Sequence, residues 1–118
     1  MLPALREVLA DPARAHEYAS DVGVPHGCMI GNTTAELVPH DAEAGEIVAR
    51  AHARFTRIVA DALGRAQAAG EVTQDATPEA QAHLVLFTVQ GLSLVSRTGL
   101  DTTTALAAVD VLIDALRA

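Results

Sequence analysis

The chain is 118 residues long, enough for one domain with a modest core and too short for two. Ala fills 24 positions, Trp none, and there are only two Phe and one Tyr, so the core must be Leu, Val, Ile and Ala, which favours closely packed helices over an all-β fold. Fifteen acidic residues against eight basic ones, all Arg, leave a formal charge of -7, which makes duplex nucleic acid and anionic membranes poor partners for this chain alone.

Residues 2–10 carry Leu2, Leu5, Val8 and Leu9 at helical spacing and read as the end of a helix, with Pro3 in its first turn. Asp11-Pro12 predicts a turn or a second short helix through His16 and Tyr18. The stretch from Asp21 to Gly27 then breaks regularity with Gly23, Pro25 and Gly27. Residues 1–26 are therefore expected to be irregular or partly helical. From Cys28 to Val38 the positions Met29, Ile30, Thr33, Leu37 and Val38 repeat at three and four, which fits a short helix that stops before Pro39.

Asp41 is placed to cap a new helix, with Glu43 and Glu46 near its positive end and Gly70 as a left-handed stop, a length of about 28 residues. Its apolar stripe is Ile47, Ala51, Phe55, Ile58, Val59, Ala62 and Ala66, while Arg50, Arg54, Arg57, Asp61 and Arg65 sit mainly elsewhere. Thr77-Pro78-Glu79 starts the next helix, which runs to Arg97 and is apolar over most of its circumference. Leu84, Phe87, Gly91, Leu94 and Val95 share one side; Val85, Val89 and Leu92 carry the arc around the other. So short a chain offers few elements to cover both sides, and part of the cover is expected from another chain.

Gly99 ends that helix and Asp101 begins the last one, where Leu106, Val109, Leu112, Ile113 and Leu116 form a wide stripe opposed by Asp110, Asp114 and Arg117. The two make an αα-hairpin, and pairing it with its symmetry mate gives a four-helix interface. The expectation is an all-α, antiparallel bundle of about five helices, a single domain over residues 1–118 that is homodimeric through residues 78–117. Val85, Leu92, Leu112 and Leu116 are the residues expected in the interface. The run from Leu84 to Val95 is broken by Thr88, Gln90, Gly91 and Ser93 and is too short to span a bilayer, and no signal peptide is evident. A lone Cys28 excludes an internal disulfide and a Cys-based zinc site, which makes the cytoplasm the expected compartment.

Three stretches resemble the C-terminal, effector-binding and dimerisation domain of TetR-family transcriptional regulators. Gly27-Cys28-Met29-Ile30-Gly31-Asn32 with Ala35-Glu36-Leu37 is similar to a short helix of one large subgroup. Arg65 to Val72 (RAQAAGEV) resembles the end of the family's long helix, and Leu84 to Thr98 with its central Gln90-Gly91 resembles the first dimerisation helix. Together the three span residues 27–117, in the family's order and spacing. Such regulators ordinarily begin with a helix-turn-helix unit, and nothing before Gly27 resembles one. The chain is then either a fragment of a longer regulator or a short form that begins inside the effector domain. The resemblance implies a homodimer that senses a small apolar or amphipathic effector and contacts DNA only through a helix-turn-helix absent from this chain. The alternative is a helical dimerisation or interaction module without DNA binding.

Enzyme and cofactor chemistry finds little support in the residues. His16, His26, His40, His52 and His83 form no i, i+4 pair or Cys/His cluster, so no metal site is expected. Ser20, Ser93 and Ser96 lack the glycines of a nucleophile elbow. Gly27, Gly31 and Asn32 lack the spacing and the Lys of a phosphate loop. No catalytic residue and no cofactor are expected. A ligand cavity, implied by the resemblance, would be lined by Met29, Thr33, Phe55, Val59, Phe87 and Gln90. Gln90 is the sharpest pointer, because a polar amide among apolar neighbours must find a hydrogen-bond partner.

Overall fold

The structure, a computed structural model, describes residues 1–14 and 36–118. Among them run α1 (Leu2–Ala13), α2 (Ala42–Ala68), α3 (Pro78–Val95), a 3₁₀ turn (Ser96–Thr98) and α4 (Thr102–Leu116). The described residues are all-helical. None of these helices is long and apolar enough to cross a membrane. Most of the short helix expected from Cys28 to Val38 lies outside the described residues; its last residues, with Pro39, close in a turn where the His40 N–H donates to the Leu37 carbonyl at 2.9 Å.

Each long helix starts where its capping residue dictates. The Asp41 carboxylate accepts from the N–H groups of Glu43 (3.0 Å) and Ala44 (3.1 Å), Thr77 Oγ1 accepts from the Ala80 N–H (3.1 Å), and the Asp101 carboxylate accepts from the Thr104 N–H (2.8 Å). Each of these side chains replaces a partner that the first turn of a helix lacks. Gly70 and Gly99 adopt φ of 77° and 80°, a left-handed conformation that an L side chain takes only with strain, and there the chain turns into the next element.

Helix α1 is more than a frayed end. Leu2, Leu5, Leu9 and Ala13 are buried in one cluster with Leu63 and Ala66 of α2, Ala82 and Val85 of α3, and Val109, Leu112, Ile113 and Leu116 of α4. The helix passes through Asp11-Pro12, where a turn or the start of a second short helix is predicted, and continues unbroken to Ala13. A proline so near the last turn withholds only one backbone hydrogen bond, and burial of Ala13 at 3% exposure holds the final residue in place. Helix α1 packs chiefly on α4, and Arg6 Nε bonds Asp110 Oδ1 across the pair at 2.6 Å.

Helices α2 and α3 form an antiparallel hairpin whose connection is pinned by side-chain amides. Gln67 Nε2 lies within 3.1 Å of the carbonyls of Thr73 and Ala76 and of Gln81 Oε1, and Gln81 Nε2 donates to the Thr73 carbonyl at 2.9 Å. Gln81 is only 3% exposed, yet both ends of its amide are satisfied. Beyond the connection, Glu71 ties three segments together. Its carboxylate accepts from the Met1 ammonium (3.2 Å) and the Leu2 N–H (2.8 Å), and its carbonyl accepts from the Ala118 N–H (3.1 Å). An isolated antiparallel bridge between Val72 and Arg117 completes the junction.

The α2 stripe is narrower than predicted. Val48, Leu63 and Ala66 are buried, whereas Ile47 and Ile58 stand 50% and 56% exposed. At 100° per residue those two share an edge about a quarter-turn from the line of Val48 and Ala66, and the bundle closes on that line.

Replacing Gln81 by Ala removes both bonds of a buried amide and strands the Thr73 junction, at an expected cost of about 1–3 kcal/mol in urea-unfolding free energy. Acid is expected to loosen the same end of the bundle. Bonds from the Met1 ammonium and Leu2 N–H hold the Glu71 carboxyl below the usual carboxylate range, and Arg6 does the same for Asp110. Depressed folded-state values mean that this stabilisation is complete above the unfolded values near pH 4 and is lost as pH falls through the folded ones. The double variant Glu71→Ala/Asp110→Ala should therefore melt lower at pH 7 and show a shallower fall in Tm from pH 5 to pH 3 than the unaltered chain.

Candidate functional site

A groove of about 550 Å³ runs along the α2–α3 hairpin, open on one side. Ala49, Ala53, Thr56 and Ala60 recur at helical spacing on its α2 wall, with His52, Arg57 and Asp61 beside them; Glu79, His83 and Leu86 form the α3 wall. The alanines explain the space. Each presents a single methyl group where a larger side chain would close the gap between two helices, so the groove is lined by backbone-near apolar surface with polar groups at intervals.

Thr56 turns its hydroxyl back on its own helix, within 3.0 Å of the His52 carbonyl and 3.2 Å of the Ala53 carbonyl. His83 Nδ1 lies 2.9 Å from the Glu79 carbonyl; since a carbonyl only accepts, this nitrogen carries the proton. The His83 ring stands 6.0 Å from the Phe87 ring at an interplanar angle of 56°. Two polar atoms on the hairpin are buried without any hydrogen-bond partner: His52 Nε2 and Gln90 Oε1. Gln90 follows Glu79, His83 and Leu86 on the same stripe of α3, one turn past the last of them. Among the described residues no group of three His, Cys, Asp or Glu side chains is placed to hold a metal ion.

The residues expected to line a cavity are distributed differently from the prediction. Met29 and Thr33 lie outside the described residues. Phe55 and Val59 are half-buried and pack against the core cluster, so both sit on the inward stripe without lining the groove. Phe87 is 64% exposed and does not point inward with Phe55. Gln90 is half-buried, its carbonyl oxygen is buried without a hydrogen-bond partner, and it lies one turn beyond Leu86, the last α3 residue that lines the groove. The α2 wall went unread in the sequence because its alanines look like filler and His52 lacks any metal-ligand spacing. The stripe Ala49, Ala53, Thr56, Ala60 was the available signal.

Three of the four residues expected at a dimer interface are enclosed by the chain itself. Val85, Leu112 and Leu116 are 0%, 8% and 2% exposed inside the single chain, and Leu92 is half-buried against the same core. Helix α1 packs against α3 and α4 in the cluster that buries Val85, Leu112 and Leu116 within the chain. The apolar positions that face outward are instead Leu84, Phe87, Leu94 and Val95 on α3 and Val111 on α4, each at least 43% exposed.

Residues 3–112 match the family described as tetracyclin repressor-like, C-terminal domain, so the chain belongs to that family. The match takes in α1, and so extends well upstream of Gly27, where the sequence resemblance was placed. Domains of this family are typically the effector-binding and dimerisation parts of transcriptional regulators. No curated protein and no solved structure matches the chain significantly.

Proposed function

With that membership as the premise, we propose that this chain is the sensing and dimerisation part of a one-component transcriptional repressor. The observation that carries the reading is the division of α3 into three faces. One face, with Ala82, Val85 and Leu86, is buried in the chain's own core. A second, with Glu79, His83 and Leu86, walls the groove. The third, with Leu84, Phe87, Leu94 and Val95, is apolar and in water.

A helix that is apolar on two opposed sides is stable in solution when both are covered, and the family's homodimers supply the second cover from a copy of the same helix. Helix α4 offers a complementary back face of small residues, Ala107, Ala108, Val111 and Ala115, all exposed. Large side chains on one helix against small ones on another let helices approach closely. The groove on the neighbouring face then takes an apolar or amphipathic effector. Because His83 in the groove touches the Phe87 ring of the outward face, an occupant that moves one biases the other. DNA contact belongs to a helix-turn-helix unit outside these residues, whose spacing follows the arrangement of the dimer.

The test compares outward with inward positions. Phe87→Glu and Leu94→Glu are expected to keep helical circular dichroism and cooperative unfolding while sedimenting as monomers. Val85→Glu and Leu112→Glu put an unpaired carboxylate in the core and are expected to unfold the chain. Dimers that survive both outward substitutions would remove α3 from the interface and with it this account of dimerisation.

A further inference from the structure

We infer that the inner end of the α2–α3 groove is a hydroxyl-binding subsite formed by His52 and Gln90. The inference deepens the effector reading above and rests on it. Its basis is the pair of buried, unpartnered atoms on facing helices, His52 Nε2 and Gln90 Oε1. A buried polar atom left without a partner carries the full penalty of losing its water, so native chains keep such atoms rarely and chiefly where something else binds.

Register brings the two residues to the same level. Where the hairpin begins, a Cβ on Gly64 would lie 3.8 Å from the Pro78 ring. Stepping back along α2 and forward along α3 by the same number of residues from that contact reaches His52 on one helix and Gln90 on the other, at equal rise. His52 lines the groove, and rotation about its χ2 turns either ring nitrogen toward the space. Ala49 lines the groove beside His52, and Gln90 continues the α3 stripe one turn past Leu86, the last α3 residue of the groove wall.

The donor and acceptor inventory then sets the ligand class. Gln90 Oε1 can only accept, so the ligand must donate to it. The imidazole of His52 offers an N–H or a lone pair, depending on tautomer. A hydroxyl meets both demands with one atom, donating its single proton to Gln90 and accepting from the N–H of His52 in the tautomer that presents it. A methyl ether cannot donate and fails at Gln90. The remaining groove, with Ala53, Ala60 and Leu86, suits an apolar body. The effector is thus a neutral, hydroxyl-bearing apolar molecule such as a phenol or an alcohol.

The experiment has a ligand-free arm and a ligand arm. If the two atoms are unpaired in the free protein, removing them relieves a penalty, so Gln90→Met and His52→Leu should leave Tm unchanged or raise it by about 2–5 °C. A fall of several degrees in either variant would show that the atom has a protein partner in solution and would overturn the subsite. In the second arm, 2-naphthol and 2-methoxynaphthalene are titrated calorimetrically into the full chain. The naphthol is expected to bind at least about fivefold more tightly, as one hydrogen bond of ~1 kcal/mol requires, and Gln90→Met should abolish that difference while keeping the affinity for the ether. Equal affinity for the two compounds, or tighter binding of the ether, refutes the subsite and leaves the groove reading standing. Absence of binding by both removes the groove reading as well.

Discussion

Helix α3 can be covered from three sides, and the chain covers two of them. Ala82 and Val85 are fully shielded, while Phe87, two residues from Val85 and most of a half-turn away around the same helix, is 64% exposed. The cost of that exposure is set by apolar area at about 25 cal/mol per Å², so four large outward side chains represent several kcal/mol of burial that a second copy can recover. Everything else follows from how α3 is held. Helix α1 and α4 close its inner side, the Gln67–Gln81–Thr73 amide junction fixes its start against α2, and the alanine stripe of α2 leaves a groove along its flank.

The boundaries of the long helices were legible because they depend on local chemistry. Asp41, Thr77 and Asp101 cap the helices they were expected to cap, Gly70 takes the left-handed turn expected of it, and Gly99, expected to end its helix, does so in the same left-handed conformation. These signals need only neighbours a few residues away. Periodicity also gave the correct stripes on α4, where Val109, Leu112, Ile113 and Leu116 are all buried. It could not say what buries them. A stripe states that a face is apolar and is silent on whether the cover is a partner chain or an earlier helix. With residues 1–26 expected to be irregular or partly helical, the first residues offer no cover for Val85, Leu112 and Leu116, whereas α1 joins the cluster that buries all three.

The groove was the least legible feature, for a related reason. A cavity is made by what is missing, and Ala49, Ala53 and Ala60 carry no functional signature of their own. The two Phe drew attention as large residues in an alanine-rich chain, yet Phe55 packs on the core and Phe87 faces out. Gln90 was read from physics that does not depend on register: an amide among apolar neighbours needs a partner, and the structure leaves its oxygen buried without one. His52 on α2 carries the matching defect, visible only once the hairpin is assembled. The adjacency of His83 in the groove to Phe87 on the outward face also appears only in three dimensions, and it puts the groove wall and the exposed apolar face on one helix.

The central claim is that the outward face of α3 is covered by a second copy of the chain. Sedimentation equilibrium of the full chain from one to one hundred micromolar tests it most directly. The account predicts a mass of twice 12.3 kDa through most of that range, with dissociation only at its dilute end. A mass of one chain throughout, combined with cooperative unfolding, would mean that α3 tolerates its exposed apolar face alone and would contradict the account.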